Sequence, residues 1–71
     1  MFSRITFNSE IMGGRACIRN MRLPVSIIVS QFAHGETIAD ILKDYPDLEK
    51  EDIQEALEYV AWLAQEEVLA V

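Results

Sequence analysis

Three residues constrain this chain more than any others: Pro24, Gly35 and Pro46. Proline cannot donate the hydrogen bond that a helix interior needs, so it opens a helix or ends one. Glycine takes the left-handed backbone that closes a helix. Between these marks the apolar residues recur at helical spacing. Val25, Ile28, Val29 and Phe32 follow Pro24, which suits a first helical turn, and Gly35 stops that segment. Ile38, Ile41, Leu42 and Tyr45 repeat the same stripe up to Pro46. Thr37 and Asp40 have the spacing of a capping box for this second helix, with Asp standing in for the usual Glu. A third helix is predicted from about Glu49 to Glu67, with Ile53, Ala56, Leu57, Val60, Ala64 and Val68 as its buried stripe.

The N-terminal third follows another pattern. "RITF" (4–7) alternates and reads as a short strand, and "EIMGG" turns the chain. "ACIRNMRL" reads as two short extended pieces about a turn at Arg19-Asn20, where Asn tolerates left-handed backbone. The predicted fold is mainly α: a three-helix homeodomain-like (helix-turn-helix) bundle with a short N-terminal β element. Residues 1–71 form a single domain, with 1–23 as the strand and arginine-loop extension and 24–71 as the bundle.

A domain of 71 residues has a small core, and such chains lean on disulfides, metals or partners. Cys17 is the only cysteine, which excludes an internal disulfide, and one His with one Cys does not make a structural zinc site. Oligomerisation or a partner protein is left as the source of extra stability. The segment "MFSRITFNSE" lacks a signal-peptide core and no apolar run reaches membrane-span length, so the expected setting is the cytoplasm and no membrane is expected as a partner.

Charge is divided unevenly within a net of −6: residues 1–35 carry +3 and residues 36–71 carry −9. Such asymmetry points to two surfaces with different partners, although a solvated acidic helix beside a basic loop gives the same count. All four arginines, Arg4, Arg15, Arg19 and Arg22, lie in the first 22 residues. A guanidinium fork suits phosphate or carboxylate, so these four are the candidate contacts to nucleic acid or to an acidic protein site. The plainer alternative is that Arg22 pairs with the acidic helices while Arg15 and Arg19 are solvated. Arg19, at the turn, is the residue expected to project. "GGRACIRN" has neither the spacing nor the Lys-Ser/Thr of a phosphate loop.

The third helix occupies the place of a DNA-reading helix, yet its predicted exposed start holds Glu49, Glu51, Asp52, Glu55 and Glu58 against Lys50 alone. DNA affinity rests on neutralising phosphates, so only Lys50 and Gln54 are possible base contacts here. Trp62 lies nine residues after Ile53, about two and a half turns on, and so points away from the buried stripe with Tyr59 nearby. Tyr59 and Trp62 are the candidate interface anchors. The competing expectation is that the N-terminal strand or the "VLAV" tail covers Trp62. His34 is expected to contact the end of its helix or to be simply exposed, and Cys17 to be a buried small hydrophobe. No catalytic set, cofactor site or metal site is assigned, because one His cannot meet the partners that acid–base or nucleophilic chemistry needs.

"RITFNSEIMGGRACIRNMRLPV" followed by "HGETIADILKDYPDLEKEDIQEALEYV" resembles the domain-of-unknown-function family 433. The resemblance runs from about Arg4 to Leu63. It is carried by Gly13, Gly14, Ile18, Arg22, Pro24, Val25, Gly35, Ile41, Tyr45, Pro46, Leu48, Asp52, Ile53, Ala56, Leu57 and Tyr59. Ala16 departs from a usual Pro, and Asn20-Met21 from Gly-Thr. The resemblance implies a homeodomain-like three-helix fold and, for many members, the antitoxin half of a toxin–antitoxin pair opposite a PIN-like ribonuclease. The expected function is therefore a non-enzymatic binding module that neutralises a partner protein and forms a homodimer through its third helix. The alternative is a transcriptional regulator that contacts operator DNA phosphates through its N-terminal arginines.

Overall fold

Local chemistry sets the boundaries of each helix. The computed structural model describes residues 2–70, with 66–70 described by backbone alone. Two short strands, β1 (Ile5–Thr6) and β2 (Cys17–Ile18), precede helices α1 (Val25–Ala33), α2 (Ile38–Asp44) and α3 (Lys50–Ala70). This is the mainly α, three-helix architecture with an N-terminal β element that the sequence predicts. All three helices pack on one another in pairs.

Thr37 caps α2 as expected: its hydroxyl accepts from the Asp40 N–H at 3.1 Å while Asp40 accepts from the Thr37 N–H at 3.0 Å. These bonds favour the charged Asp40, the one from the Thr37 backbone most, so its carboxyl is held below the usual range. Gly35, at φ 94°, makes the turn after α1 that only glycine adopts without strain. His34 Nδ1 lies 2.6 Å from the Ser30 carbonyl, the helix-end contact expected of it.

Pro24 differs from expectation. It stands just before α1 in extended backbone (φ −63°, ψ 143°) rather than in the first turn. The reason is that residues 23–25 run alongside β2: Ile18 N–H donates to the Leu23 carbonyl at 3.1 Å and Val25 N–H to that of Ala16 at 2.9 Å. Strands β1 and β2 are antiparallel, with Ile5 opposite Ile18 and Thr6 opposite Cys17. The turn that follows β2 has positive φ at both Arg19 (43°) and Asn20 (59°) and closes with Met21 N–H on the Ile18 carbonyl at 2.7 Å. Two consecutive left-handed residues match the twist of a tight hairpin.

The core joins these pieces. Ile5, Ile18 and Leu23 from the N-terminal element meet Val25, Ile28, Ile41, Leu48, Ile53 and Ala56, all buried. Cys17 is buried beside them, as expected of a small hydrophobe. Phe32, assigned to the α1 stripe, is instead exposed near the end of that helix. Helix length explains a larger departure in α3. At 1.5 Å per residue α3 is about 31 Å long, against about 13 Å for α1 and about 10 Å for α2. The bundle therefore covers only the first half of α3. Ala64, predicted in the buried stripe, is exposed, and Val68 lies outside the described side chains. The "VLAV" tail, too, lies outside them. Among the described residues no helix is long and apolar enough to cross a membrane.

Candidate partner-binding site

The start of α3 is occupied by the chain's own arginines. Asp52 lies three residues into α3 and its side chain is fully buried, contrary to its predicted place on an exposed acidic face. Its carboxylate accepts from the Glu49 N–H at 2.8 Å, which satisfies one of the unpaired donors at the helix start. It also receives a side-on fork from Arg19, with Nε at 3.0 Å and Nη2 at 2.8 Å, and a third donor from Arg4 Nη1 at 2.9 Å. Burial pushes the Asp52 carboxyl up. The bonds from Arg19, the Glu49 backbone and Arg4 outweigh this and hold it below the usual carboxylate range.

Arg4 ties the rest of the hairpin down. Its Nη1 donates to Glu49 at 2.6 Å, its backbone N–H to Glu55 at 3.0 Å, and its Nε lies 3.9 Å from the same carboxylate. Hydrogen bonds to Glu49 and then Asp52 raise the Arg4 pKa, and the bond to Asp52 raises that of Arg19, so both stay charged. Arg19 also reaches the Asp47 carbonyl at 3.0 Å. A non-glycine residue in left-handed backbone costs about 1–2 kcal/mol. At Arg19 the fork onto Asp52 offsets that cost.

This reverses the roles expected of two arginines. Arg19 does not project from the turn; it folds back onto α3. Arg22, expected to pair with the acidic helices, makes no ion pair among the described residues, and neither does Arg15. Both are exposed. Arg19 stands in left-handed backbone at the turn and its side chain reaches the start of α3, while Arg22 stays exposed.

Lys50 and Gln54 are exposed, as expected, but their surroundings are acidic. Gln54 lines an open groove with Phe2, Arg4, Glu51, Glu55 and Glu58. Such a groove repels phosphate. Among the described residues no three His, Cys, Asp or Glu side chains gather as a metal site.

Tyr59 and Trp62 come together, with ring centroids 6.3 Å apart and nearly parallel planes. Phe2 folds against both, edge-on to Tyr59 at 5.4 Å and tilted to Trp62 at 6.0 Å, while Phe7 meets Tyr59 at 6.0 Å. The N-terminal segment thus covers part of this face, as the competing expectation had it, and Trp62 keeps 37% of its surface exposed. The neighbouring turns are more open. Every residue from Ala61 to Gln65 is exposed, although four of these five are apolar. Leu63, which no sequence pattern singled out, is 39% exposed. The signal for it was length: a third helix predicted to be twice as long as its neighbours must outrun them.

The family model for "Protein of unknown function (DUF433)" matches residues 5–60. The chain belongs to that family, as the order of its glycines, prolines and apolar residues suggests. The comparison with curated proteins and that with solved structures each find no match.

Proposed function

We propose that this DUF433 protein is a non-enzymatic binding module, the antitoxin of a toxin–antitoxin pair, which holds a PIN-like ribonuclease in the cytoplasm. One observation supports binding above all: the described end of α3 is apolar and uncovered, in a chain whose core is already closed. Exposed aromatic and aliphatic residues grouped on one helix are typical of surfaces that a partner covers. The nature of the partner rests on the resemblance to family members that face such nucleases.

The DNA-binding alternative is left with fewer contacts than the sequence offers. Arg4 and Arg19 are engaged by Asp52, Glu49 and Glu55, so Arg15 and Arg22 are the arginines available for phosphate. Each phosphate contact contributes to the salt slope of binding, so two arginines give weak, strongly salt-sensitive affinity.

The test is whether the gene beside this chain's encodes a small PIN-like ribonuclease, followed by expression of that protein. Alone, it is expected to arrest growth and cleave RNA. Together with this chain, growth should resume and the two proteins should co-purify. Undiminished toxicity during co-expression, with this chain present in soluble form, would remove the antitoxin reading.

A further inference from the structure

Resting on the antitoxin reading, we infer that residues 57–65 of α3 dock into an apolar groove of the partner that is rimmed by lysines and arginines. Two features of α3 carry this. The first is continuity. Ile53 and Ala56 are buried and Leu57 and Val60 half-buried on the side of α3 that faces the bundle. At about 100° per residue, Leu63 and Ala64 continue that same side beyond the point where α1 and α2 end. Among the described residues this continuation of a core-forming stripe is exposed, the pattern of a helix that lies in a groove.

The second is charge. Residues 57–70 hold Glu58, Glu66 and Glu67, and no Lys, Arg or His follows Lys50. A second copy docked stripe to stripe brings two such segments side by side, each with three acids and no base. Like-charge juxtaposition of that kind opposes assembly. A basic rim answers it.

Trp62 lies on the opposite side of α3, partly covered by Phe2, and is not part of this surface.

The surface is tested with the full chain and the PIN-like ribonuclease of the co-expression test, by titration calorimetry and sedimentation. Two variants address the two halves of the claim. Leu63→Glu places a carboxylate in the apolar stripe, and Glu58→Lys reverses one of the charges on the same segment of helix. Both positions are exposed, so circular-dichroism melts should match wild type. The expected result is a wild-type chain that is monomeric alone at micromolar concentration. Each variant should bind the nuclease at least tenfold more weakly, and wild-type affinity should fall as salt rises. Wild-type binding that both variants retain overturns this surface and leaves the antitoxin reading standing. A wild-type homodimer that Leu63→Glu dissociates assigns the stripe to a second copy and overturns the basic groove. No complex with the wild-type chain overturns surface and reading together.

Discussion

The two halves of α3 belong to one helix but live in opposite environments. In the first half an acidic residue is fully buried, and its neighbours Glu49 and Glu55 are tied to Arg4. In the second half the apolar residues Ala61 to Ala64 are exposed. Polarity alone predicts the reverse, since charged side chains are seldom fully buried without a partner. Position relative to the other elements decides burial here. Where the hairpin and the short helices reach, even a carboxylate is enclosed and satisfied; where they stop, leucine faces solvent.

The sharpest way to break this contrast is to remove the carboxylate. Asp52→Ala leaves Arg4 and Arg19 without their shared acceptor and strips a bond from the start of α3. Removing one partner of a buried pair costs about 3–5 kcal/mol, and the arginines' access to water places this case near about 3 kcal/mol. For a domain of this size the melting temperature should fall by roughly 15 °C. Leu63→Glu, in the other half, should change stability by less than about 0.5 kcal/mol. Denaturant melts of the two variants measure both.

Acid titration tests the same half by another route. The folded-state pKa of Asp52 lies below its ordinary value of 3.8, so the folded protein holds this carboxylate charged where the unfolded chain would bind a proton. The stability it contributes is complete above pH 3.8 and is lost as pH falls through the lower, folded-state value. Wild-type stability should therefore drop on acidification below about pH 4. In Asp52→Asn that component of the drop should be missing.

A smaller effect separates the arginines. Arg19→Ala should lower the melting temperature, because Arg19 holds Asp52 and restrains a strained turn. Arg15→Ala and Arg22→Ala should leave it within error. Equal melting temperatures for all three would mean that the fork onto Asp52 does not anchor the hairpin.

What the sequence made legible was local. Pro24, Gly35 and Pro46 punctuate the helices through backbone chemistry that acts within a turn, and the Thr37–Asp40 capping box is complete within four residues. Asn20 announced its own left-handed conformation. The clamp was not legible, because Arg4 and Asp52 lie 48 residues apart and Arg19 and Asp52 lie 33 apart. Helical spacing puts Asp52 beside Ile53 and Ala56, but it cannot say that a hairpin brings two cations there. A local hint did exist: Glu49 and Asp52 have the spacing of a helix cap and its reciprocal acid. Which arginine turns inward depended on the positive φ of Arg19, a value that no propensity assigns to arginine. The exposure of Leu63 and Ala64 depended on the relative lengths of three helices, a property of the assembly and not of any one stripe.

Amide hydrogen exchange along α3 in the isolated protein, at a concentration where it is monomeric, tests the division of this helix most directly. Amides that open only with the whole fold are the most protected, and those in uncovered segments exchange through local opening. Strong protection is expected for Ile53 to Leu57, much weaker protection for Ala61 to Gln65, and a rise in the latter set alone when the nuclease partner is added. Equal protection of both sets in the free monomer would contradict it.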